Sequence, residues 1–341
     1  MRFTIRMNRF IKSELSKLKF YFGLNPRIER KEDSSSYIPA GKKAVVLISA
    51  DFELAWAPRY DSSVADPLKY AKEKAENERN NIPAILKLCE RFDIPITWAT
   101  VGHLFLEKCS RLNGTAHPEI PKVDKYQNKY WKFDAEDWFE YDPCTDFQTD
   151  PLWYAPDLIK QIRTSTVKHE IGNHTFSHID CRDGVCPPGL LRAELQASQA
   201  AADTYGINLR SFVHPGHTIG NLDVLAEENY TNFRTDYNNT LGYPEKYKGK
   251  LWELKQTSQF TFREGWSMDY HIYRYKKIIE RAMRSQTLCV FWFHPSFDKK
   301  VIELIWPEVF KYMADNKKDL WVTTHSEYMD WLEKNLNGSQ K

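Results

Sequence analysis

Residues Ala44-Val45-Val46-Leu47-Ile48-Ser49 form a run with no charge and only one polar side chain. A strand with one wet face alternates apolar and polar residues, whereas a strand buried on both faces reads as a continuous apolar run. This run therefore belongs inside a parallel sheet covered by helices. The rest of the chain alternates accordingly. Helical spacing predicts helices over 80–92, just ahead of Lys168, and over 188–205, 222–229, 270–284, 301–316 and 327–335. Short apolar segments predict strands over 93–101, 209–213, 231–235, 252–254, 287–293 and 320–324. Such alternation implies an α/β fold with a parallel sheet, open or closed into a barrel, whose site gathers at the carboxyl ends of the strands.

Polar residues capable of chemistry stand at those ends. The first strand runs into Asp51-Phe52-Glu53, whose carboxylates share one side if the extended conformation persists. Buried carboxylates are costly unless paired or metal-bound. His174 and His178 lie four apart in His-Thr-Phe-Ser-His, a spacing that lets two imidazoles reach one cation. His103, His214, His217 and His294 each follow a predicted strand. A lone strand-end histidine is more often structural than catalytic. Collected, these groups supply two imidazoles and a carboxylate for a metal, with a carboxylate and an imidazole to spare. Those are the parts for hydrolysing an amide or ester with a metal-activated water, a base and an acid.

These residues resemble the polysaccharide deacetylases of the NodB-homology type, carbohydrate esterase family 4. Asp51-Phe52-Glu53 is similar to the family's first motif, usually Thr-Phe-Asp-Asp, and His174-Thr-Phe-Ser-His178 to its metal-binding histidine pair. Phe291-Trp292-Phe293-His294 looks like its last motif, and Trp252-Glu253-Leu254 sits where the family carries a tryptophan segment that walls the site. The resemblance covers about residues 44–332. It implies a distorted (β/α) barrel, Asp51 as base, His294 as general acid, and Glu53, His174 and His178 around a divalent metal. Zinc suits that ligand set, which also accepts cobalt, nickel or manganese. His214, Pro215, His217 and Trp252 are then expected at the substrate. Two departures stand out. The metal carboxylate is Glu and falls one residue late, so Asp51 and Glu53 could exchange roles. The third motif lacks its base-orienting arginine, a part open to His214, His217, Arg59 or Arg210. The implied activity is removal of an acetyl or formyl group from an amino sugar that is nucleotide-, lipid- or polymer-linked. An inactive sugar-binding relative is one alternative. A closed structural zinc site of His174, His178, Cys181 and Cys186 is another.

Charge and composition narrow the setting. A net charge of only +2 offers no general field for nucleic acid. Six cysteines without framework spacing fit a reducing compartment. No apolar run is long enough to span a bilayer, and Met1 to Lys31 does not read as a secretory signal. The expected location is therefore cytoplasmic. Residues 1–40 are read as a basic segment and linker, and residues 41–341 as the barrel, with an irregular aromatic insertion at about 108–157. Within the first segment, Arg2, Arg6, Arg9, Lys12, Lys17 and Lys19 accompany Phe10, Ile11, Leu15, Leu18 and Tyr21 at roughly helical spacing. That pattern fits a helix packed on the barrel or one lying on an anionic inner membrane face.

Overall fold

The computed structural model describes residues 14–61, 63–123, 126, 131–133, 137–235 and 239–338. Arg2, Arg6, Arg9, Phe10, Ile11, Lys12 and Tyr130 lie outside the described residues. The strands are β1 (Arg27–Ile28), β2 (Ala44–Phe52), β3 (Thr97–Thr100), β4 (Glu170–Asn173), β5 (Ser211–Val213), β6 (Asn232–Thr235), β7 (Thr240–Leu241), β8 (Glu245–Tyr247), β9 (Leu251–Lys255), β10 (Ser258–Gln259), β11 (Leu288–Phe293) and β12 (Leu320–Thr323). The helices are α1 (Pro67–Phe92), α2 (Pro156–Thr164), α3 (Pro188–Asp203), α4 (Leu222–Glu227), α5 (Met268–Ser285), α6 (Trp306–Asp315) and α7 (His325–Gly338).

All nine residues of β2 are buried, as its composition requires. The main sheet runs β10-β11-β2-β3-β4-β5-β6-β9-β8 and is parallel except for β8 on β9, with β12 also paired to β2. The single segment 251–259 closes the ring. Its first part, β9, pairs with β6, and its last part, β10, pairs with β11. The result is a distorted (β/α) barrel.

Alternation along the strands assigns the two faces. Val45 and Leu47 of β2, Leu288 and Val290 of β11, and Trp252 and Leu254 of β9 form one core, which Tyr328, Met329 and Leu332 of α7 close from below. Ser49 and Asp51 continue that face upward, so the lumen turns polar toward the carboxyl ends. The opposite face of β2, from Ala44 to Phe52, packs in the core that includes Ile82 and Ile85 of α1, Ile278 of α5 and Phe310 of α6.

Several elements differ from the sequence expectation. Helix α1 begins at Pro67, with Asp66 accepting from the Lys69 amide, rather than near residue 80. Its first half is densely charged and carries too few apolar residues to show helical spacing, yet Ala71, Ala75 and Glu78 are buried. The segment expected as one helix over 301–316 splits into a π-turn at Val301–Ile305 and then α6. Strands β7, β8 and β10 are too short to carry a pattern.

In the N-terminal segment, residues 14–21 are helical. Phe20 is buried there, with edge contacts to Tyr270 and Tyr273 of α5, and its carbonyl accepts from Arg281.

Candidate active site

Strand β2 stays extended through Phe52, so Asp51 and Glu53 do share the luminal side. The chain then turns sharply through two short 3-10 segments, Leu54–Trp56 and Pro58–Tyr60. Glu78 of α1 secures that turn by accepting from the amides of Glu53 (2.9 Å) and Leu54 (3.2 Å). Burial raises the Glu78 carboxyl well above its ordinary range.

The histidine run leaves β4 and is tied down from several sides. The His174 amide donates to the Thr100 carbonyl, and the amides of Gly102 and His103 donate to Thr175 and Phe176. Glu194 of α3 accepts from the Ser177 amide (2.8 Å) and hydroxyl (2.6 Å). Arg59 and the Trp138 indole both donate to the Ser177 carbonyl, each at 3.1 Å. Thr175 and His178 hold positive φ near 59°, a conformation that non-glycine residues keep only when their surroundings enforce it.

This anchoring aims both imidazoles at one atom. Glu53 Oε1 lies 3.1 Å from His174 Nε2 and 3.1 Å from His178 Nε2. His294, at the end of β11, brings Nε2 within 3.8 Å of the other Glu53 oxygen. Asp51, Glu53 and His294 offer ligand atoms that all lie within 4.8 Å of one another. The first turn and the histidine run, more than a hundred residues apart, thus meet as their residue types suggest.

The donor set fits a divalent cation. His174 Nδ1 sits 2.7 Å from the Val213 carbonyl, which can only accept, so Nδ1 carries the ring proton. In the neutral ring Nε2 then presents a lone pair to an anionic oxygen, an arrangement that repels unless a cation intervenes. A ligand histidine whose second nitrogen donates to a backbone carbonyl is the usual outer-shell pattern. Burial holds His178 down at about 4, in its neutral, ligating form. Burial pushes the Glu53 carboxyl up, but the surrounding imidazoles of His294, His174 and His178 outweigh it and hold it well below its ordinary value.

Asp51 meets a partner that sequence reading missed. Arg234 of β6 reaches across the lumen and makes two parallel 2.7 Å contacts to the Asp51 oxygens, with a third bond to Ser49 at 2.8 Å. Burial raises the Asp51 carboxyl, and the Arg234 charge and hydrogen bonds more than offset this, so it titrates below its ordinary value. The arginine expected at the third motif is therefore supplied one strand later. Its signal was an arginine inside the strand predicted over 231–235, at a lumen-facing position. Neither Arg59 nor Arg210 fills this role: Arg59 holds the histidine run, and Arg210 pairs with Asp330 of α7.

Four expected substrate residues separate. His217 lines the cavity, its ring 4.8 Å from that of Trp292. His214 does not. It follows Phe212 onto the outer face, packs on Phe212 and Phe233, and places Nε2 3.0 Å from the Gly220 carbonyl. Pro215 is buried and absent from the cavity wall. Trp252 faces the lumen but at its amino-terminal end, where its indole donates to Glu333 of α7. Its place against Asn232, two residues below Arg234, keeps it far from Asp51. The proposed His2Cys2 site does not form either. The Cys181 and Cys186 thiols donate to the carbonyls of Ile179 and Pro187, while both histidines turn to Glu53.

Above the ligands opens a cleft of about 450 Å³, lined by Asp51, Glu53, Tyr60, Trp131, His217 and His294 among others. Tyr60 and Trp131 stack at 3.9 Å between ring centres, and the Tyr60 hydroxyl lies 2.9 Å from His178 Nδ1. Trp131 comes from the insertion, which thereby forms a wall of the site.

The polysaccharide deacetylase family profile matches residues 71–235, just under half the chain, and includes His174, His178 and Arg234. No curated protein matches the chain. Among solved structures, a Pseudomonas aeruginosa PAO1 protein described as a polysaccharide deacetylase superposes with a TM-score of 0.60 at 11% identity, covering 86% of this chain and 92% of that one. A Mycobacterium smegmatis protein of the same description gives 0.58 at 14% identity, with 87% and 92% covered. The Puue allantoinase gives 0.58 at 13%, with 86% and 92% covered. Identities this low speak for the fold alone. Over residues 71–235, which hold the histidine pair and its arginine, the chain is similar to the polysaccharide deacetylase family, and its ring has the fold of the solved structures so described.

Proposed function

We propose that this protein is a metal-dependent amidase that removes an acetyl or formyl group from an N-acylated amino sugar. The observation that carries the reading is the convergence of His174 and His178 on one oxygen of Glu53, with Asp51 and His294 beside it. Glu53, His174 and His178 would hold a divalent cation, zinc by ligand preference, which when bound polarises the acyl carbonyl and acidifies a water. Asp51, kept ionised by Arg234, takes the water's proton as general base. The two-point contact to Arg234 fixes the carboxylate plane, so the oxygen that receives the proton is held in place. His294, on the rim and about a quarter exposed, holds a proton for the departing amine. The stacked Tyr60 and Trp131 rings give the cleft an apolar wall.

The test is release of acetate or formate from a panel of N-acyl amino sugars, free and carrier-linked, with and without chelator. Activity should vanish with chelator and return with zinc or cobalt. D51N should lower kcat by about 10²- to 10⁴-fold, the usual share of a general base, while its metal content stays unchanged. A D51N protein with full activity would remove Asp51 from the mechanism.

We further propose that the enzyme works at the inner face of a membrane, where the sugar would be lipid-linked. Phe22 and Leu24 are 76% and 68% exposed, beside exposed Leu15, Leu18 and Tyr21. A basic hollow adjoins them, lined by Arg27, Arg30, Lys31, Arg281 and Arg284. Apolar anchors next to clustered cations suit anionic headgroups. Co-sedimentation with phosphatidylglycerol vesicles should be salt-sensitive and should drop in F22E/L24E. Equal binding to neutral vesicles would count against it.

A further inference from the structure

A second set of ligating side chains lies away from the lumen, at the base of the insertion. His103 follows β3. Cys109, His117 and Asp142 come from the insertion itself, and all four offer ligand atoms within 4.8 Å of one another. Asp142 Oδ2 is the meeting point. It lies 3.1 Å from His103 Nε2, 3.0 Å from His117 Nε2 and 3.4 Å from Cys109 Sγ. Around a tetrahedral zinc with bonds of about 2.0 Å to N and O and about 2.3 Å to S, neighbouring ligand atoms stand about 3.3–3.5 Å apart. The observed separations are close to those edges.

Proton bookkeeping favours a cation over a plain hydrogen-bond network. His103 Nδ1 faces the Trp153 carbonyl at 3.1 Å and must donate to it. The opposite nitrogen of the neutral ring then carries a lone pair. His103 is fully buried, and its Nε2 makes no hydrogen bond although a carboxylate oxygen stands 3.1 Å away. Asp142 keeps its other oxygen for the Cys144 amide (2.9 Å) and the Tyr154 hydroxyl (3.3 Å), which orients Oδ2 toward the cluster. His117 Nδ1 has Glu119 at 3.6 Å as an outer partner. His103 and Asp142 thus have the outer hydrogen bonds that metal ligands usually have.

We propose that His103, Cys109, His117 and Asp142 form a second metal site, a closed structural zinc centre. Four protein ligands leave no position for water or substrate, which distinguishes it from the open Glu53 site. Thiolate with imidazole selects zinc over magnesium or calcium. Its place gives its purpose: it fastens the insertion that carries Trp131 to the end of β3. Metal there would order the cleft wall without taking part in the reaction.

The test uses full-length protein produced in cobalt-supplemented medium. Of these two sites only this one contains a cysteine, so a sulfur-to-cobalt charge-transfer band in the near ultraviolet distinguishes it from the Glu53 site. The band is expected in the wild type and in H174A/H178A, where the Glu53 site is disabled, and is expected to vanish in C109A. Zinc-grown H174A/H178A should retain about one zinc per chain. Wild-type protein without the band, or a band that survives in C109A, overturns the proposal. The first reading is taken on the unmodified protein and does not depend on any variant folding, and the proposal stands or falls separately from the catalytic reading.

Discussion

At the scale of single residues, Asp51 and Arg234 bury a carboxylate and a guanidinium against each other with two matched 2.7 Å contacts. Breaking one side of such a pair leaves the other charge uncompensated. In R234Q the counter-charge is gone while the burial that raises Asp51 remains. The carboxylate therefore protonates at higher pH, and the acid limb of the kcat/KM profile should move upward by a unit or more, with kcat at pH 7 lower by about ten- to a hundredfold. R234K keeps the charge but not the planar fork, so it should recover the limb more than the rate. An unmoved limb in R234Q would mean that another group is the base. Glu78 offers a stability counterpart. It accepts two backbone amides, and E78A leaves both buried and unmatched, a loss of about 1–3 kcal/mol each, which urea denaturation would reveal.

At the scale of elements, the turn after β5 sets how closely the insertion approaches the ring. Gly216 has φ of 53°, and a Cβ there would stand 2.8 Å from the Trp131 ring. G216A therefore combines left-handed strain of about 1 kcal/mol with displacement of the indole that walls the cleft. The expected outcome is a several-fold rise in KM with kcat nearly unchanged, checked by steady-state kinetics on the preferred substrate. Elements were legible where pattern was strong. The apolar β2 and β11, and helix α3 with its small-residue and leucine repeats, could be read from their spacing. The first half of α1 could not, since its helix is held by the Asp66 cap and by buried alanines and Glu78 rather than by an apolar stripe.

At the scale of the molecule, the barrel encloses histidines that acid must charge. Burial takes His214 and His325 down from 6.5 to about 3. In the unfolded chain they bind protons near 6.5, in the folded protein only near 3. Between those values the unfolded state holds the extra protons, so acid favours unfolding, and the stability they protect is complete above 6.5. Each fully buried histidine adds a slope of about 1.4 kcal/mol per pH unit in that window. Urea midpoints should fall as pH drops from 7 to 5, and H214F should flatten the trend. A midpoint constant over that range would contradict the burial of these rings.

By itself the sequence determined the alternation of strand and helix, and the chemistry of the groups at strand ends. Both follow from local spacing: an apolar run must be buried on two faces, and histidines four apart can share a cation. Only the tertiary structure decided which distant groups meet. Arg234 reaches Asp51, Trp252 falls at the wrong end of the lumen, His214 turns outward, and four residues from His103 to Asp142 converge in the insertion. Those outcomes depend on sheet register and ring closure, which bring together side chains that no local spacing connects.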